Sequence, residues 1–142
     1  MPSNDQNTPT ITVRQAEDRA RNYAAELRSA LPAEAMLEDR GVQQNACPDP
    51  SGVGFEKRKH VNADYWVRGL DPADHDKYFD AMKSWLTKNG WNIDKDSRPA
   101  DMFMNAVRSD DGFSMSFQAN KKGGLALGTS SPCVWPNGTP EP

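Results

Sequence analysis

His60, His75, Cys47 and Cys133 are the residues of this chain best equipped for chemistry, and their spacing limits what they can do. A general base needs a nucleophile and an orienting acid within hydrogen-bond reach, and no Ser-His-Asp arrangement stands near either histidine. His75 lies one helical turn before Phe79, at the border of an apolar stripe, so both histidines read as structural or solvated groups. Zinc requires ligand pairs at short, regular spacing, and no His or Cys pair has it. Asp94-Lys-Asp96-Ser-Arg98-Pro begins like a calcium loop, then lacks the third oxygen ligand, the turn Gly and the closing Glu. No GxGxxG or GxxxxGK[ST] phosphate cradle occurs. Any two of the 20 acidic residues could meet as a glycoside-cleaving pair, and nothing singles one out. These residues predict a protein that is not an enzyme, with no catalytic residues, metal or cofactor.

The cysteines admit two readings. Each sits in a proline-flanked stretch, Ala46-Cys47-Pro48 and Pro132-Cys133-Val134, outside any periodic apolar segment. They are either unrelated buried thiols or one disulfide, and structural thiols more often occupy helix or strand interiors. A bridge would contribute roughly 4–5 kcal/mol in the chain-entropy model and would imply an oxidising compartment.

Two features suggest a binding surface. Lys57, Arg58, Lys59 and His60 form the densest basic cluster, readable as an anion site or as an exposed strand start. Trp66 alternates away from Val61, Ala63, Tyr65 and Val67, which places it on the opposite face of a strand, where a partner or ligand could dock. The other tryptophans read as structural: Trp85 as core, Trp91 as a helix-end contact, Trp135 as a pin for the C-terminal tail.

The elements that must position these residues follow from periodicity. Thr12 with Gln15 makes a capping box for a helix over about 13–31, whose stripe is Val13, Ala16, Ala20, Tyr23, Ala24, Leu27 and Leu31. Its arginines, Arg14, Arg19, Arg21 and Arg28, fall mostly on the other side and read as a solvated face. A short strand is expected over 33–41, a loop over 43–54 punctuated by Pro48, Pro50, Gly52 and Gly54, and a longer extended run over 55–70. The second helix is the best marked. Asp71 caps it, Pro72 opens it, Tyr78, Phe79, Met82, Trp85 and Leu86 line it, and Gly90 ends it. Four strands follow over 91–95, 102–108, 113–120 and 125–130. The turns Ser109-Asp-Asp-Gly112 and Asn120-Lys-Lys-Gly-Gly124 join the last three. The prediction is an α+β two-layer sandwich, a mainly antiparallel sheet of five or six strands with two helices on one face. Residues 1–12 read as a disordered tether, 13–135 as one domain and 136–142 as an irregular tail.

The chain has 142 residues, 36% hydrophobic and 26% charged, with net charge −3, which suits one domain that does not seek nucleic acid. No apolar run reaches the roughly 18 residues of a membrane span, and no signal peptide is present. A monomer is expected.

The assembled order resembles small actinobacterial cell-envelope lipoproteins, including the mycobacterial LppA-like group. The resemblance covers about residues 13–135. It is carried by the Ala-rich helix ending in Leu31-Pro32, the Tyr65-Trp-Val-Arg-Gly69 strand, and the helix Tyr78-Phe-Asp through Lys88-Asn-Gly-Trp91. Arg98-Pro99, the Asp111-Gly-Phe-Ser-Met-Ser116 hairpin strand and Thr129-Ser-Ser-Pro-Cys-Val134 complete it. It implies an exported protein held by a lipidated cysteine that this sequence lacks, residues 2–10 as a spacer, and a bridge between Cys47 and Cys133. It supplies no catalytic residues. The function expected is non-enzymatic binding of a protein or cell-envelope component, with membrane contact only through the missing lipid anchor. The alternatives are a carrier of a small apolar ligand near Tyr78, Met82 and Met115, and an envelope-acting hydrolase.

Overall fold

The computed structural model describes residues 8–48 and 54–141. Residues 1–7 of the tether expected over 1–12, and residues 49–53 of the loop expected over 43–54, with Pro50 and Gly52, lie outside them. Thr12 caps helix α1 (Val13–Arg28) as the capping box predicts: its hydroxyl accepts from Gln15 N, and the Gln15 side chain accepts from Thr12 N. Val13, Ala16, Ala20, Ala24 and Leu27 are buried along one face. Three of these are alanines, so the helix can lie close to the sheet. Buried Thr129 uses that closeness to donate its hydroxyl to Ala20 O at 2.9 Å.

Two long strands follow, β1 (Met36–Pro48) and β2 (Phe55–Arg68). A single 3-10 turn, Pro72–Asp74, capped by Asp71, leads into helix α2 (His75–Lys88). The remaining strands are β3 (Trp91–Asp96), β4 (Phe103–Arg108), β5 (Ser114–Ala119) and β6 (Leu125–Ser130). All pairings are antiparallel, in the order β1-β2-β6-β5-β4-β3. The α+β two-layer expectation therefore holds: one six-stranded open sheet with both helices packed against one face.

The side chains that point to the helices explain why. Val61, Ala63, Tyr65 and Val67 of β2 and Leu125 and Leu127 of β6 are buried, as are Met115 and Phe117 of β5 and Met104 and Ala106 of β4. Phe79 of α2 meets Phe117 with ring centroids 4.6 Å apart. Tyr23 joins the two parts of the core, edge-on to both Trp91 and Phe113.

One expectation fails. Residues 43–48 are strand, not loop: Gln43 pairs with Asn62, Gln44 with Val61, Asn45 with His60 and Ala46 with Lys59. β1 is an edge strand with exposed Gln, Asn and Ala, so it carries no apolar alternation to betray it. Its ladder also contains a bulge, an extra residue between Asp39 and Val42, where Gly41 adopts a φ of 101°. The segments around the domain pair with each other: Thr10 N donates to Gly138 O, Val13 N to Pro136 O, and Trp135 N to Thr10 Oγ1. Trp135 is buried where they meet.

Candidate functional site

The helices leave the second face of the sheet uncovered, and strand alternation decides what stands on it. β2 presents Asn62, Asp64, Trp66 and Arg68. Their cross-strand neighbours on β6 are Ser130, Gly128 and Ala126, and next to those on β5 are Ser114, Ser116 and Gln118. On β4 the face continues with Val107, Asn105 and Phe103. Small residues thus form the floor at the middle of the sheet.

One row crosses the face as Trp66, Ala126, Gln118 and Phe103. Three strand spacings separate its two aromatic ends, about 14 Å. A hollow of about 290 Å³ opens at the Phe103 end, lined by Lys95, Met102, Phe103 and Gln118 among others. The next row runs through Asp64, Gly128, Ser116 and Asn105. A Cβ at Gly128 would lie 2.9 Å from Asp64 Oδ1 and 3.0 Å from Ser116 Oγ, so both polar groups lean over a position that only glycine fills without displacement. Asn105 Oδ1 is buried and accepts from no donor among the described residues. Ser130 and Asn62 close the third row with a 2.5 Å hydrogen bond.

Trp66 is half-buried, held between cations. The Arg40 guanidinium carbon lies 4.5 Å from the indole centroid and that of Arg68 5.3 Å. Arg68 in turn grips Glu38, the residue opposite Trp66, with contacts of 2.8 and 3.1 Å. Arg40 sits in the β1 bulge, and the extra residue there turns it onto the indole. Nothing in the local periodicity marked Arg40; the bulge glycine was the available signal. Phe103 and Asn105 were hidden inside a strand whose core residues, Met104 and Ala106, drew the reading.

The basic run does not join this face as a unit. His60 is six residues from Trp66 along β2, about 20 Å. Lys57 is exposed, Arg58 is buried, and Lys59 forms a backbone bridge to Val134 through hydrogen bonds of 2.9 and 2.8 Å. Arg58 lines a second cavity of about 280 Å³ with Ile11, Arg19, Asp111, Phe113 and Cys133. Beside that cavity Tyr23 OH donates to Asp111, which also lies 3.8 Å from Arg19. Burial, then the bond to Asp111, raises the Tyr23 phenol above its ordinary range, so it stays protonated and serves as a donor.

Cys47 and Cys133 form a disulfide, which resolves the choice left open by their flanking prolines and points to an oxidising, extracytoplasmic setting. His60 Nδ1 lies 3.8 Å from Cys47 Sγ. The fold thus gathers His60 and both sulfurs within 4.8 Å, a grouping that sequence spacing conceals; the sulfurs are bonded to each other.

The other sequence candidates have structural surroundings. His75 is half-buried, its ring 6.3 Å from that of Tyr78. Met82 and Met115 are buried in the common core. Asp96 faces Arg98 and Lys83, and Arg98 also reaches Asp80 at 2.9 Å. The Arg98 hydrogen bonds hold the Asp96 carboxyl well below the usual carboxylate range. Among the described residues no helix is long and apolar enough to cross a membrane. Compared with family models, curated proteins and solved structures, the chain matches none.

Proposed function

We propose that this protein is a non-enzymatic binding domain of the cell envelope, exported and held there by a lipid anchor outside this sequence. It engages a protein or other envelope component through the uncovered sheet face. The observation that carries the reading is Trp66 standing on that face between Arg40 and Arg68. Trp and Arg are enriched among the few residues that dominate protein interfaces, Trp through its large rigid ring and Arg through its planar, multiply donating guanidinium. The floor of Ala126, Gly128, Ser116 and Ser130 adds room for a partner to approach. The disulfide supports an exported setting, and the resemblance to actinobacterial lipoproteins supports the envelope.

The test compares wild type with Trp66→Ala and Arg40→Ala in cosedimentation with washed envelope fragments. Specific recovery of wild type, reduced at least tenfold in Trp66→Ala at unchanged melting temperature, supports the reading. Equal recovery of all three proteins removes this face from consideration. Mass spectrometry of the protein isolated from its own cells reads the anchor directly: a diacylglyceryl cysteine ahead of the tether is the expected product.

A further inference from the structure

We infer that the Cys47–Cys133 disulfide is exchange-competent, and that a small thiol entering the cavity beside it attacks Cys133 while Cys47 leaves next to His60. Three observations give the reaction this direction. The two sulfurs differ in access: Cys133 is partly exposed and lines the 280 Å³ cavity, whereas Cys47 is 1% exposed. The cavity has room for a small molecule and mixed walls, with Ile11, Phe113 and Val134 beside Arg19 and Arg58. The imidazole of His60 stands at the buried sulfur, 3.8 Å from Cys47 Sγ.

In the step, the lone pair of the incoming thiolate forms a bond to Cys133 Sγ. The bond between Cys133 and Cys47 breaks, and its electron pair stays on Cys47 Sγ as a thiolate. The proton of the incoming thiol passes to solvent, and the His60 N–H donates to the new thiolate. One disulfide is consumed and one mixed disulfide forms, so the electrons balance with the small thiol as sole co-reactant. Exchange is faster when the departing sulfur is the better leaving group, and an adjacent imidazole makes Cys47 so. A buried thiolate without such a partner would be a poor leaving group. His60 therefore touches a reacting atom. Cys47, once released, is also the nucleophile that attacks the mixed disulfide and restores the bridge.

The experiment uses the folded chain and 2-mercaptoethanol as the probe. Samples are quenched in acid, unfolded, alkylated and mapped by peptide mass spectrometry. The expected result is mercaptoethanol on Cys133 and alkyl label on Cys47, formed without denaturant. His60→Leu is expected to slow adduct formation on the order of tenfold, and His60→Asn, whose amide N–H can replace the imidazole donor, to recover part of that rate. Melting temperatures of both variants are taken on the same samples. Adduct on Cys47 or on both cysteines equally would overturn the inference. So would reaction only at denaturant concentrations that unfold the chain, or equal rates for wild type and His60→Leu.

Discussion

The two faces of the sheet are built from the same strands and differ in almost every physical respect. On the helix side Val61, Ala63, Met104, Ala106, Phe117 and Leu127 are essentially inaccessible and meet other apolar side chains. One residue away along each strand stand Asn62, Asp64, Asn105, Ser116 and Ala126, all only partly covered. The covered face is held mainly by area: burying a large apolar side chain contributes about 1.5–3 kcal/mol, and the buried Thr129 hydroxyl is matched to Ala20 O. The open face is held by particular pairs, Arg40 on Trp66, Arg68 on Glu38, Ser130 on Asn62. Stability is concentrated on one side and the proposed recognition surface lies on the other, so mutations on the two faces should separate those properties.

The strongest test of that separation is Phe117→Ala beside Ser116→Ala. Phe117 is 0% exposed and packs on Phe79, and its truncation should cost about 3–5 kcal/mol. Ser116 is its immediate neighbour on the open face, and its truncation should stay within about 0.5 kcal/mol. Urea unfolding followed by tryptophan fluorescence measures both. Comparable losses would show that the open face also carries the fold.

The next largest effect lies where helix and sheet edge meet. Arg98 links Asp96 at the end of β3 to Asp80 on α2 and lies 5.4 Å over the Phe79 ring. Arg98→Met should cost about 1–2 kcal/mol at neutral pH, since Arg98 and Asp96 are mostly shielded but Asp80 is not. The pH dependence has a definite sign. The Asp96 carboxyl is depressed in the folded state, by its Arg98 hydrogen bonds first. Its contribution is complete above the unfolded carboxylate value of about 3.9 and disappears as pH falls through the lower folded value. The difference between wild type and Arg98→Met should therefore be constant near neutrality and shrink only in strong acid. A difference that vanishes already at pH 5 would show that another group is responsible.

Gly128→Ala sharpens the contrast from the open side. The added methyl meets Asp64 Oδ1 and Ser116 Oγ, and both groups can turn away. The cost should be about 1 kcal/mol, more than at other open-face positions but well below the core. Because the methyl fills the floor of the row, partner binding should fall further than stability does. Unfolding and cosedimentation on the same preparation measure the two effects.

The covered face was legible in the sequence because burial imposes periodicity. Phe113, Met115 and Phe117 alternate with serines, and β5 lies where that alternation places it; the Thr12 and Gln15 pair marks the true start of α1. Trp66 could be assigned to the uncovered face by the same parity. β1 escaped because its residues 43–46 are exposed on an edge and owe their conformation to hydrogen bonds with β2, which no local pattern encodes. Arg40 and Phe103 became visible as neighbours of this site only through the bulge and the strand order. His60 beside the cysteines is likewise a product of long-range pairing, with Cys47 on one strand of a hairpin and Cys133 beyond β6.

Trp66→Ala should give a change in stability well below that of the core substitution and the clearest change in function. The indole is half-buried, and its contacts with Arg40 and Arg68 are of the kind worth about 0.5–1 kcal/mol each at accessible sites. Both arginines keep solvent when the ring is lost, and Arg68 keeps Glu38. The unfolding midpoint should therefore move little, while recovery on envelope fragments drops by tenfold or more. Arg68→Ala provides the internal comparison. It removes one wall of the cage and frees Glu38 but leaves the ring, so its binding loss should be smaller than that of Trp66→Ala. If Arg68→Ala instead abolishes binding and Trp66→Ala preserves it, recognition on this face is electrostatic, and the tryptophan is there to orient the guanidinium groups.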